Sequence, residues 1–226
     1  VDRGVPWPIG VNIVFDFDGT LVDCSERHHR AYCASVDDLG GRPLSKDRYW
    51  IMKRSDVALA DVLRASLLCD EHRAAFLERF VDYVERKSLV ALDTLFPGVA
   101  TVLSHLAPHR LYLATMRKRA QELVDQLVEL GIDGAFSGTV TAGDLPVEET
   151  LKEALVDTFD LHGPSLIVGD TESDIAAGKR RSMATIAATY GIRERSILLA
   201  CSPDRAIDTI TELPGAIDEL TFSSGL

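Results

Sequence analysis

The sequence predicts a doubly wound α/β core with a parallel sheet, interrupted by an inserted α-helical cap. Three observations predict it: five short apolar runs rich in β-branched residues, helix-period segments between them, and one interval too long for an ordinary crossover. The runs are Val11 to Phe17, Arg110 to Ala114, the weaker Gly138 to Thr141, Ser165 to Val168, and Ala184 to Ala188. Near-continuous apolar character is what strands buried on both faces show, and alternation with helices predicts a parallel sheet covered on both faces.

The connecting segments follow the same logic. After Pro97-Gly98, residues Val99, Val102, Leu103 and Leu106 share one helical stripe; Ala120, Leu123, Val124, Leu127 and Leu130 share the next, which Gly131 ends. Both are expected to cover the sheet. Between the first two runs lie about 90 residues, where a crossover needs only about a dozen. Segments 25–38, 56–69 and 71–89 there carry helical patterning, the last through Phe76, Phe80, Val81 and Val84, so the insertion reads as a small helical bundle over the sheet's end. The expected division is a core of 1–23 with 91–226 and a cap of 24–90.

Composition narrows the function. With 24 basic and 35 acidic side chains the formal charge is −11, so there is no general basic surface to neutralise phosphates, and nucleic acid is not the expected partner. A hydrophobic content of 46% with 26% charged residues is that of a folding chain. Cys24, Cys33, Cys69 and Cys201 lack paired spacing, which favours free thiols in a reducing compartment, and no apolar run is long enough for a membrane span. The expected setting is cytoplasmic, without a membrane partner; the oligomeric state is not legible.

The chemistry-bearing residues cluster at strand ends. In V-N-I-V-F-D-F-D-G-T-L-V-D, Asp16 and Asp18 stand at the exit of the first strand and Gly19 permits a tight turn. Like charges so close repel unless a cation or shared proton compensates them. L-I-V-G-D-T-E-S-D sets Asp170 at another strand end with Asp174 one helical turn later, and L-Y-L-A-T-M-R-K delivers Thr115, Met116, Arg117 and Lys118 past a third. In a parallel sheet these loops emerge at one edge, where such folds bind ligands. Carboxylate oxygens without His or Cys suit a hard cation such as Mg²⁺ together with substrate phosphate. An Asp can also attack phosphorus covalently while a neighbour shuttles the proton.

These motifs resemble those of the haloacid dehalogenase superfamily of phosphohydrolases. D-F-D-G-T-L-V-D is similar to its first motif, which implies Asp16 as nucleophile and Asp18 as acid/base; L-A-T-M-R-K is similar to the second, with Thr115 on phosphate; V-G-D-T-E-S-D is similar to the fourth, with Asp170 on Mg²⁺ and Asp174 supporting it. The Asp18 main-chain carbonyl would, by the same resemblance, be a further metal ligand. An acid at position 18 favours phosphate chemistry over dehalogenation. The insertion resembles the helical cap of the phosphoglycolate phosphatase and β-phosphoglucomutase branch. There His28 would sit at the hinge, and Y-W-I-M-K-R-S-D would be the substrate-specificity loop carrying Lys53 and Arg54. Gly19, Met116, Arg117 and Lys118 complete the expected substrate-binding set.

One departure matters. Relatives place the third-motif lysine before a proline, yet this chain reads A-G-D-L-P, with Leu145 in the lysine position. Lys152, expected two turns into the following helix and near Glu148 and Glu149, is the candidate replacement, with Arg117 and Lys118 beside Thr115 as others. Losing such a cation costs on the order of 10²–10³ in rate. The leading expectation is a Mg²⁺-dependent phosphatase for a small phosphomonoester, of the phosphoglycolate or sugar-phosphate type, acting through an aspartyl-phosphate. A phosphosugar mutase and a weakly active or non-catalytic phosphate binder are the alternatives.

Overall fold

The computed structural model describes residues 10–146 and 151–220. The chain divides into two compact units, one comprising the described residues through Val22 and from Leu95 onward, the other Asp23–Thr94.

In chain order, β1 (Asn12–Phe15) leads to the short β2 (Val22–Asp23). The helical unit follows as α1 (Ser25–Asp37), α2 (Lys46–Arg54), α3 (Leu59–Ala65), α4 (Arg73–Val84) and α5 (Lys87–Val90), after which β3 (Thr94–Leu95) pairs with β2. The remainder alternates as α6 (Val99–His105), β4 (Arg110–Thr115), α7 (Ala120–Glu129), β5 (Gly138–Thr141), α8 (Lys152–Asp157), β6 (Ser165–Gly169), α9 (Glu172–Arg180), β7 (Ala184–Ala188), α10 (Arg195–Ala200), β8 (Arg205–Ile207) and α11 (Leu213–Asp218).

Six strands form one parallel sheet in the order β5-β4-β1-β6-β7-β8. This is the doubly wound α/β class, one strand larger than expected: β8 has three residues at the sheet edge and too short an apolar run to stand out. Period-two alternation divides the core. Ile13 and Phe15 of β1 pack with Val99, Val102, Leu123, Leu127, Leu213 and Ile217 from helices on one face. Val14 faces the other way, onto Leu155, Val156 and Ala177 of α8 and α9. Burying a side chain the size of Phe15 contributes roughly 1.5–3 kcal/mol, so a central strand apolar on both faces is held firmly at the depth from which Asp16 emerges.

The helical unit has its own core, in which Tyr32 stacks on Tyr49 with ring centroids 4.2 Å apart and Leu63 and Phe76 are buried. Several sequence expectations are corrected there. Tyr49 to Arg54, expected in a loop, lie in α2, which the Ser45 side chain caps. Only Tyr49 of that helix is buried, so it carries almost no amphipathic signal. The 56–69 segment keeps helix only over α3, bounded by positive φ at Asp56 and Leu67. Val81 is 41% exposed, outside the α4 core stripe, and in the other unit Val124 of α7 is likewise 45% exposed.

Candidate active site

The strand order places β1 between β4 and β6, so connections diverge on either side of it and its carboxyl end lies at the switch point where such sheets bind ligands. Register makes the convergence specific. Phe15 is level with Leu113 of β4 and Val168 of β6, and the next residues in each strand lead to Asp16, Thr115 and Asp170. Phe17 and Leu21 are fully buried in the core below the loop, while the Phe17 carbonyl accepts from the amides of Thr20, Leu21 and Val22 and closes the turn.

Asp16, Asp170 and Asp174 are all buried, and one carboxylate oxygen from each lies within 4.8 Å of the others. Lys152 joins them. It is the first residue of α8 and not two turns inside it, because Leu151 is the N-cap. Its ammonium donates to Asp16 Oδ1 and, at 2.7 Å, to the Ala114 carbonyl, and lies 2.9 Å from Asp174 Oδ1. That last contact is a buried ion pair, and among the described residues Lys152 is the cation that Asp174 Oδ1 meets. The other oxygen of Asp174 accepts from the Thr171 amide and hydroxyl at 3.0 and 2.7 Å, the capping box that opens α9. Leu145, in the position expected for the lysine, instead packs at the edge of the α8 side of the core. Glu148 and Glu149 lie outside the described residues.

Asp170 accepts from Thr20 Oγ1 at 3.2 Å and from the Ile192 amide at 2.5 Å. Two glycines make room for it. A Cβ on Gly19, whose φ is +84°, would stand 2.1 Å from Asp170 Oδ2, and one on Gly191 would stand 2.3 Å from the same atom.

The charge balance is uneven. Burial, opposed by Lys152 and reinforced by Asp174 and Asp18, pushes the Asp16 carboxyl up to about 6. Burial first, then Asp16 and Asp174, hold Asp170 well above the usual carboxylate range. Burial works against the Lys152 ammonium, yet Asp16 and Asp174 outweigh it and keep it above the ordinary lysine range. One cation thus faces three buried carboxylates. The donor set is all oxygen and carries surplus negative charge; these features fit a hard divalent cation.

The remaining expected residues are distributed as follows. Thr115 ends β4 and is buried. Arg117 is buried and forks onto Asp18, Nε to Oδ2 at 2.9 Å and Nη2 to Oδ1 at 2.6 Å. Met116 is 43% exposed and Lys118 is exposed. His28, Lys53 and Arg54 belong to the helical unit. There the His28 ring meets Trp50 and Phe80 edge-on at 6.2 and 5.8 Å, and the Lys53 ammonium lies 5.9 Å from the same Phe80 ring; Arg54 ends α2.

Sequence reasoning missed Thr20, Gly191, the Ile192 amide, the Ala114 carbonyl and Gln126. Gly191 had a signal, a glycine just past a strand end on the same sheet edge, and so did Gln126, a polar residue on the apolar stripe of α7 beside Leu123 and Leu127. Main-chain donors and acceptors carry none.

The family model of haloacid dehalogenase-like hydrolases matches residues 12–180. A phosphoglycolate phosphatase of Synechococcus elongatus is 28% identical over 92% of this chain and 97% of its own, and one of Pseudomonas putida is 27% identical over 92% and 80%. Among solved structures, a haloacid dehalogenase-like family hydrolase from Streptococcus pneumoniae superposes with a TM-score of 0.75 at 24% identity, covering 91% of this chain and 97% of that one, which shows a shared fold. No helix among the described residues is long and apolar enough to cross a membrane.

Proposed function

The chain belongs to the haloacid dehalogenase-like hydrolases, and on that premise we propose that it is a Mg²⁺-dependent phosphatase of small phosphomonoesters. The observation that carries this reading is the buried trio Asp16, Asp170 and Asp174 gathered around Lys152 at the carboxyl edge of the sheet. Asp16, the Asp18 main-chain carbonyl and Asp170 would hold Mg²⁺, with Asp174 supporting them, and the bound ion would offset the negative charge of the phosphoryl oxygens.

Lys152 engages Oδ1 of Asp16, so Oδ2 is the oxygen assigned to attack. It forms the bond to phosphorus as the bond from phosphorus to the substrate's alcohol oxygen breaks, and Asp18 gives that oxygen its proton. Water then attacks the aspartyl-phosphate, Asp18 takes the water's proton, the Asp16–phosphorus bond breaks, and inorganic phosphate leaves. Thr115 and the backbone amides after it are assigned to the phosphoryl oxygens, and Lys152 stabilises the charge that builds there. This role for Lys152 removes the motive for a non-catalytic reading, which was the missing lysine at position 145.

Phosphoglycolate is the first substrate to test, because the relatives from Synechococcus and Pseudomonas carry that activity in their names; the chain's acidic surface also suits a compact metabolite better than a polymer. The test is phosphate release from a panel of small phosphomonoesters, with Mg²⁺ and with chelator, beside Asp16→Asn. Release that requires the metal and vanishes in the variant supports the reading. Equal release by both proteins would overturn it.

A further inference from the structure

The geometry around Asp18 assigns Arg117 a role distinct from substrate binding. Its guanidinium is only 4% exposed, and three of its nitrogens are committed to protein acceptors: Nε and Nη2 to the two oxygens of Asp18, and Nη1 to Oε1 of Gln126 on α7. The same group lies over the buried ring of Phe17, with Cζ 4.8 Å from the ring centroid. Arg117 is therefore seated from below by an aromatic face and from behind by a buried amide, and it presents a planar fork to one carboxylate. A cation waiting for a phosphoryl group would need those donors open to the substrate.

We infer that Arg117, seated by Gln126 and Phe17, is a positioning residue that fixes the carboxylate of Asp18 in the plane from which it exchanges protons. The inference rests on the reading of Asp18 as acid/base. Two parallel bonds fix both distance and plane, which a single bond would not. Asp18 needs such a hold, since its side chain is 18% exposed and sits within a tight turn, whereas Asp16 is already fixed by Lys152.

The test measures kcat and KM, with Mg²⁺, for Arg117→Met, Arg117→Lys, Gln126→Leu, Asp18→Asn and the double variant Arg117→Met/Asp18→Asn. The expected outcome is a fall in kcat on the order of 10²-fold for Arg117→Met, the scale set by small misplacements of a reacting group, with KM near the wild-type value. Arg117→Lys should not rescue it, because an ammonium cannot reproduce the fork. Gln126→Leu should lower kcat by a smaller factor with KM again unchanged, and it carries the test if the Arg117 variants do not fold. The double variant should be no slower than Asp18→Asn. A rise in KM with kcat intact would make Arg117 a phosphate ligand, and losses that multiply in the double variant would show that it does not act through Asp18; either overturns the inference, as does wild-type kcat in both Arg117→Met and Gln126→Leu. Wild-type turnover by Asp18→Asn is a separate result, which sinks the acid/base reading itself and the clamp with it.

Discussion

Each unit of the molecule buries an ion pair, and the two pairs are built to different ends. In the helical unit Arg27 Nε donates to Asp93 Oδ1 at 2.9 Å, with side-chain exposures of 1% and 0%, and the guanidinium also donates to the Val84 carbonyl at 3.1 Å. There the guanidinium engages a carboxylate and a main-chain carbonyl. In the α/β unit Lys152 is buried to a similar degree, yet it faces Asp16, Asp174 and, close by, Asp170. Burying charge is tolerable when it is matched and costly when it is not. The Arg27 contacts suit a structural role, whereas three carboxylates around one lysine fit the proposed site for a cation and a phosphoryl group.

Substitutions should separate the two. Asp16→Asn is expected to lower phosphate release by at least on the order of 10³-fold, as loss of a covalent nucleophile does. The same change should raise the melting temperature of the metal-free protein near neutral pH, because it removes a charge from an over-filled site. Asp93→Ala in the helical unit should do the reverse to stability, costing about 3–5 kcal/mol in denaturant unfolding because Arg27 is left buried without it. Lys152→Met should reduce kcat on the order of 10²–10³-fold. It should also make the protein's thermal stability depend more steeply on Mg²⁺, since three carboxylates then lack their lysine.

The smallest expected effect is on pH dependence, and its sign follows from Asp16. Its carboxyl is held up to about 6 in the folded protein against 3.8 ordinarily, so across that interval the native state keeps a proton that the unfolded chain loses. Metal-free stability should therefore fall as pH rises through this window. Lys152, held above the ordinary lysine range, contributes stability throughout it and loses that contribution only in strong alkali. Protons and metal compete for Asp16, so the rise in melting temperature on adding Mg²⁺ should be larger near neutral pH than at about pH 5. Equal rises at both would contradict the assignment of Asp16 to the metal.

Much of the core was legible because parallel strands buried on both faces announce themselves. Val11 to Phe17 and Ser165 to Val168 overlap β1 and β6 closely, and the acids after them fall where a parallel sheet must bring them together. β8 and α2 were not legible, one for having three residues and the other for burying a single side chain. In the site, residue types with unusual chemistry stood out, whereas their supports did not. The Ile192 amide and Ala114 carbonyl act through main-chain atoms that every residue has, and the Arg117 fork onto Asp18 joins residues 99 positions apart. Lys152 was legible as a lysine near the right strand but not as the first residue of its helix, a position that depends on Leu151 serving as the N-cap.

The central claim is that Asp16 becomes covalently phosphorylated, and acid quenching during turnover tests it most directly. Protein mixed with Mg²⁺ and a hydrolysed phosphomonoester, quenched and digested, should yield the peptide spanning Asp16 with one added phosphoryl group, absent when chelator replaces the metal and absent in Asp16→Asn. Steady turnover with that peptide unmodified at every quench time, and the phosphoryl group found instead on another residue, would contradict the account.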